Sequence, residues 1–188
     1  MIESYLITSR EFYTDTSAVF RKILHEQLVK HTPSYALYRD KTNPNYKFQA
    51  EHFVEVCSQF QAIKSFIHRD ADLAKSLNAT GVHLTSTMFD KIEYAKSLGL
   101  EVIVSTHTLE DVQEAESRGA DAVTYSPIFA SPGKGEAKGV AKLASLVKKV
   151  NIKVFGLGGI LNQEDVDAIK ETNAYGFASI RYFYKDTE

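Results

Sequence analysis

Residues 101–125 read EVIVSTHTLEDVQEAESRGADAVTY. Val102-Ile103-Val104 is apolar at consecutive positions, the pattern of a strand buried on both faces, as in a parallel sheet. Thr108 stands three residues before Asp111, which predicts a helix N-cap with an acidic first turn. A second apolar run, Ala120–Tyr125, follows. The stretch is therefore one strand–helix–strand unit, the element of an α/β fold.

The alternation continues in both directions. The other apolar runs are Ser4–Thr8, Ser34–Tyr38, Ile63–Ile67, Gly81–Leu84, Lys153–Leu157 and Ala174–Ile180, and the 101–125 unit contributes Glu101–Ser105 and Ala120–Tyr125. Phe20, Ile23, Leu24 and Leu28 form one helical stripe, and Val140, Leu143, Ala144 and Val147 form another. Asn162, three residues before Asp165, is a second predicted N-cap. Eight such units predict a compact (β/α)8 TIM barrel, with residues 1–188 as a single domain. Strand-to-strand steps average about 24 residues, against about 31 in a typical barrel. After the last run only Arg181–Glu188 remain, which predicts a truncated last helix. The alternative, a doubly wound open sheet, wants a Gly-rich turn after the first strand, and the sequence has none there.

Composition narrows the function. The 188 residues carry 22 Lys+Arg and 24 Asp+Glu, a formal charge of −2. That balance argues against a general nucleic-acid binder and leaves room for a local basic pocket. Cys57 is the single cysteine, so no internal disulfide or multi-cysteine zinc site is expected, in keeping with a reducing cytoplasm. The start lacks a signal-peptide pattern, and no apolar run approaches the ~20 residues of a membrane span. A soluble cytoplasmic protein is expected.

In a barrel, chemistry gathers at the C-terminal strand ends. Arg39 and Lys41 flank Asp40 there and point the same way on strand alternation, either as a cation pair for a diphosphate or as a salt-bridge cluster with Asp40. Ser126–Gly135 holds two prolines, two glycines, Ser131 and Lys134, a loop able to close over an anion. Gly158-Gly159 lets the backbone approach a phosphate closely. Ser105 and Ser179 end two further strands. His68 is placed for a ligand. His83, inside a strand, reads as a structural histidine, and His107 as part of a helix cap. Asp70 and Asp72 suit Mg²⁺ beside a diphosphate or, the favoured reading, the first turn of a helix through Leu73, Ala74 and Leu77. Tyr182, Phe183 and Tyr184 either cover the barrel end or meet a partner.

In order and placement these pieces resemble the thiamine-phosphate synthase/TenI family, from Tyr5-Leu6-Ile7-Thr8 to about Tyr182. The likeness runs through Arg39-Asp40-Lys41, Asp72-Leu73-Ala74, Gly81-Val82-His83-Leu84 and Ser105-Thr106-His107. It continues in Gly119-Ala120-Asp121, Ser126-Pro127-Ile128-Phe129 through Lys134, and Gly158-Gly159-Ile160. The resemblance implies a transferase of thiamine biosynthesis that joins hydroxymethylpyrimidine diphosphate to thiazole phosphate, releasing pyrophosphate with Mg²⁺. By position it implies that Arg39, Lys41 and Lys134 hold the diphosphate, with Ser105 lining that site. Ser131, Gly158, Gly159 and Ser179 would hold the thiazole phosphate, and His68 and Arg69 count with the phosphate-binding residues.

The departures are specific. Where synthases carry Asn-Asp-Arg, this chain has His68-Arg69-Asp70, so Arg69 stands at a Mg²⁺-binding aspartate. Met88 stands at the second metal carboxylate, Gly133 at a loop hydroxyl, and Arg181 at a strand-eight serine. Pro127 replaces the histidine of TenI-type tautomerases. Two alternatives to a synthase follow: a non-catalytic, regulatory binder of thiazole phosphate or thiamine phosphate, and a TenI-like protein acting on another phosphorylated small molecule. All three expect a phosphorylated small-molecule partner, no nucleic acid and no membrane. No oligomeric state follows from the sequence.

Overall fold

The computed structural model describes residues 1–184. Eight parallel strands, β1 (Glu3–Ile7), β2 (Tyr35–Tyr38), β3 (Lys64–His68), β4 (Gly81–Leu84), β5 (Glu101–Thr106), β6 (Ala122–Tyr125), β7 (Lys153–Leu157) and β8 (Gly176–Ser179), close in sequence order into a barrel. All eight predicted strands are present, with ends displaced by two residues at most. The chain is a (β/α)8 barrel, as the eight repeated units predicted.

The helices form the outer ring: α1 (Arg10–Tyr13), α2 (Ser17–His31), α3 (Tyr46–Cys57), α4 (Ala71–Ser76), α5 (Ile92–Ser97), α6 (Leu109–Ser117), α7 (Val140–Val147) and α8 (Gln163–Lys170). Thr108 and Asn162 cap α6 and α8 through their side chains, and Thr108 completes a capping box with Asp111. The stripe on α2 is buried at Phe20, Leu24 and Leu28. The face of α7 centres on Leu143 and Leu146. Leu146 lay outside the predicted stripe; Val140 and Val147 are only partly buried. None of the helices in the described residues is long and apolar enough to cross a membrane.

Strand alternation sends one set of side chains outward against the helices and the other into the lumen. Leu6, Val82, Val104 and Val123 belong to the outer core. Tyr5, Tyr35, Phe66 and Phe155 fill the lumen, with ring centroids 5.0–6.0 Å apart in neighbouring pairs. This aromatic layer needs empty space beside it. A Cβ on Gly81 would lie 2.7 Å from the Phe66 ring and 2.0 Å from the Glu101 carbonyl oxygen. Glycine and phenylalanine therefore share one layer, large beside small, at close-packed density.

Both α1 and α2 follow β1, and after β8 a single 3₁₀ turn, Arg181–Phe183, stands where the helix of the last unit would lie. Phe183 stacks on Phe177, centroids 5.6 Å apart, and Tyr184 stacks on Phe12 at 4.6 Å. Aromatic area thus covers the outer wall that a closing helix would otherwise bury.

Candidate functional site

The C-terminal strand ends surround a cavity of about 320 Å³ whose lining includes Ile7, Leu37, Leu157 and Ile180. Arg39, Lys41, Ser105 and Lys134 also line it. So do His68, Ser131, Gly158, Gly159 and Ser179. Arg69, Asp70 and Asp72 do not. His107, Ser126 and Arg181 contribute as well, together with His83 from mid-strand. The lining holds four basic side chains and no carboxylate.

The cations owe their freedom to a neighbouring ion pair. Asp40, between Arg39 and Lys41 in sequence, is buried and faces Arg10 instead, accepting a hydrogen bond from its Nε at 3.0 Å and forming an ion pair with its Nη2 at 2.9 Å. The salt-bridge cluster expected as one reading of Arg39-Asp40-Lys41 therefore forms with Arg10. Among the described residues, no ion pair joins Arg39, Lys41, Arg69 or Lys134 to a carboxylate. Arg39, with Lys134 and Arg69, depresses the Lys41 ammonium pKa. Burial, then Arg39, Arg69 and Lys41, pushes His68 down to about 3. His68 is therefore a neutral imidazole at physiological pH, under a cluster of positive charge that only an anion would balance.

The lumen holds a polar chain that leads into the cavity. The Tyr5 hydroxyl lies 2.8 Å from His83 Nδ1, and His83 Nε2 lies 2.9 Å from Ser105 Oγ. Tyr5 is fully buried, and its phenol pKa is raised, first by burial and then by Tyr35. Its hydroxyl has no other hydrogen-bond partner among the described residues, so the network assigns it as donor to Nδ1. His83 Nε2–H then donates to Ser105 Oγ, and the Ser105 hydroxyl hydrogen is left to face the cavity. The structural reading of His83 holds in part: it is a satisfied buried histidine that also orients Ser105. His107 likewise has two roles. Its backbone N–H donates to Asp111 Oδ2 at 2.9 Å, while its ring lines the cavity, Nδ1 3.1 Å from the Ser126 carbonyl.

Across the mouth lies the glycine turn. Gly158 and Gly159 take φ of +110° and +69°. Any side chain there would collide with the loop after β6. A Gly159 Cβ would sit 2.5 Å from the Ala130 carbonyl oxygen, and a Gly158 Cβ 2.8 Å from Pro127 Cα. The loop is pinned to the turn by Ile128 N–H to Leu157 O, 2.9 Å, and Phe129 N–H to Gly158 O, 3.0 Å. Among the described residues neither glycine N–H meets a backbone acceptor, the condition for a backbone anion cradle. The Ser179 hydroxyl donates to Ile160 O at 2.9 Å and accepts from Tyr182 N–H at 3.1 Å, so it braces the last turn from within the lining.

The residues near β3 do not suit a Mg²⁺ site. Asp70 Oδ1 accepts from Leu73 N–H at 2.9 Å as the cap of α4, and Asp72 accepts from the Tyr94 hydroxyl. Met88 packs against the core. Arg and Met offer no hard oxygen donor. Among the described residues no three His, Cys, Asp or Glu side chains converge to hold a metal.

A family profile described as thiamine monophosphate synthase matches residues 4–183. The thiamine-phosphate synthase of Syntrophomonas wolfei is 31% identical over 189 aligned residues, covering 94% of this chain and 85% of that one. That of Clostridium tetani is 28% identical, covering 94% and 85%. The solved thiamine phosphate pyrophosphorylase of Pyrococcus furiosus superposes with a TM-score of 0.79 at 25% identity, over 95% of this chain and 85% of that one.

Proposed function

Because this chain belongs to the thiamine monophosphate synthase family, we propose that it makes thiamine phosphate, joining hydroxymethylpyrimidine diphosphate to thiazole phosphate. The observation that carries the reading is one cavity lined both by cations that form no ion pair among the described residues and by a glycine turn, two candidate anion sites beside the apolar side chains of Ile7, Leu37 and Leu157. A reaction between a diphosphate and a monophosphate needs two such sites.

In this reading Arg39, Lys41 and Lys134 hold the diphosphate. The bond between the pyrimidine methylene carbon and the diphosphate oxygen breaks, and its electron pair leaves with pyrophosphate. The thiazole nitrogen gives its lone pair to the resulting cation and forms the new C–N bond. Preorganised positive charge stabilises the departing diphosphate, an electrostatic contribution that needs no proton transfer. Gly158 and Gly159, with Ser131, hold the thiazole phosphate, and the Ser105 hydroxyl donates toward the diphosphate side. No step in this account runs through a metal, since the residues at the positions the family implies are Arg69 and Met88.

The test is turnover. Purified protein is mixed with both substrates, with and without Mg²⁺, and thiamine phosphate and pyrophosphate are quantified. Wild type forms both products in equal amounts, and Lys134→Ala slows formation by about tenfold or more, the value of one charge-assisted phosphate contact. Unchanged turnover in Lys134→Ala refutes the diphosphate assignment. Absence of product from folded protein that still binds thiazole phosphate assigns a binding role instead.

A further inference from the structure

The disagreement between the β3 loop and a metal site carries an inference that rests on the reading above. We infer that the diphosphate pocket is metal-independent, with the Arg69 guanidinium supplying the positive charge that a divalent cation would otherwise bring.

Four observations support it. Arg69 directly follows His68, which lines the cavity, and its N–H donates to the carbonyl of His83, which lines it too, at 2.9 Å. Its backbone therefore sits on the rim between two lining residues, and its side chain is exposed. In keeping with that rim position, its charge adds to the lowering of the Lys41 and His68 pKa values. No carboxylate competes: Asp70 caps α4, and Asp72 is bonded to Tyr94.

The backbone adds a fourth observation. Arg69 takes φ of +72°, a left-handed conformation that Asn and Asp tolerate and that costs a longer side chain about 1 kcal/mol or more. Nothing local requires arginine there, since no ion pair involving it occurs among the described residues. An arginine at a position that disfavours it, beside Arg39, Lys41 and Lys134, is explained by an anion that these cations bind together. The planar guanidinium can engage two phosphate oxygens at once. A Mg²⁺ ion in the same place would meet positive charge on several sides and no carboxylate in the cavity lining.

The experiment is calorimetric titration of sodium pyrophosphate into the full chain, in EDTA and again in excess Mg²⁺. Wild type binds in EDTA, and Mg²⁺ gives no gain in affinity. Arg69→Asn suits the left-handed backbone, so it melts no lower than wild type, and it binds about tenfold or more weakly in EDTA. Arg69→Lys keeps the charge and retains most of the affinity. Wild type that binds only with Mg²⁺ present overturns the inference and leaves the synthase reading standing. So does Arg69→Asn with wild-type affinity in EDTA, or Arg69→Lys as weak as Arg69→Asn. No pyrophosphate binding in either buffer overturns both.

Discussion

Gly159→Ala tests whether the turn after β7 is the fixed half of the site. The substitution acts twice. At φ +69° a Cβ carries the left-handed penalty, about 1–2 kcal/mol. The Cβ also lands 2.5 Å from the Ala130 carbonyl oxygen and 2.8 Å from Phe129 Cβ. Neither neighbour can rotate away, because Ile128 and Phe129 are hydrogen-bonded to the strand end at 2.9 and 3.0 Å. The loop must move as a piece, at a further cost of about 1–3 kcal/mol for overpacking. The expected loss is about 2–5 kcal/mol, or roughly 5–15 °C in melting temperature for a chain of this size. Gly133→Ala supplies the control. Its φ is +71°, but nothing lies within 4 Å of the added carbon, so only the first penalty applies. Moving Phe129 and Ala130 also displaces Ser131 and Lys134, so thiazole-phosphate affinity falls about tenfold in Gly159→Ala. The assays are thermal melting of both variants and calorimetric titration. Equal melting temperatures for the two variants would refute the packing argument. Unchanged affinity in Gly159→Ala would remove the turn from the site.

Acid sensitivity follows from the lumen histidines. His68 is pushed down to about 3 by burial and by Arg39, Arg69 and Lys41, and His83 is lowered by burial, His68 and Arg39. The unfolded chain, with an ordinary histidine pKa near 6.5, binds more protons than the folded one below that pH. Stability is thus full above about pH 6.5 and falls as pH drops toward 3, by about 1.4 kcal/mol at pH 5.5 from His68 alone. Urea unfolding at pH 7.5 and 5.5 measures it, and a flat profile contradicts the assignment. Tyr5→Phe leaves His83 Nδ1 buried without its donor and frees the tautomer that orients Ser105, at about 1–3 kcal/mol of stability. A Tyr5→Phe protein as stable as wild type in urea would show that the relay carries no weight.

The cation cluster was legible in outline. Arg39, Lys41 and Lys134 could be read from strand-end placement, because the period of the elements says which residues reach the C-terminal face. The partner of Asp40 could not: Arg10 lies 30 residues away, and the parallel pairing of β1 with β2 brings α1 beside the end of β2. His83 and His107 carry a second role that spacing does not reveal, because each contributes to a hydrogen bond across two strands or loops.

What the sequence determined by itself is the architecture: consecutive apolar residues such as Val102-Ile103-Val104, caps at Thr108 and Asn162, and eight repeats leave a parallel barrel as the economical way to bury both faces of every strand. What only the tertiary structure decided is the electrostatic character of the mouth. Charge in a sequence is a list of signs, and its effect depends on distance and burial. Strand packing turned Asp40 toward Arg10 and left Arg39, Lys41 and Lys134, with Arg69 at the rim, around one opening whose lining holds no carboxylate.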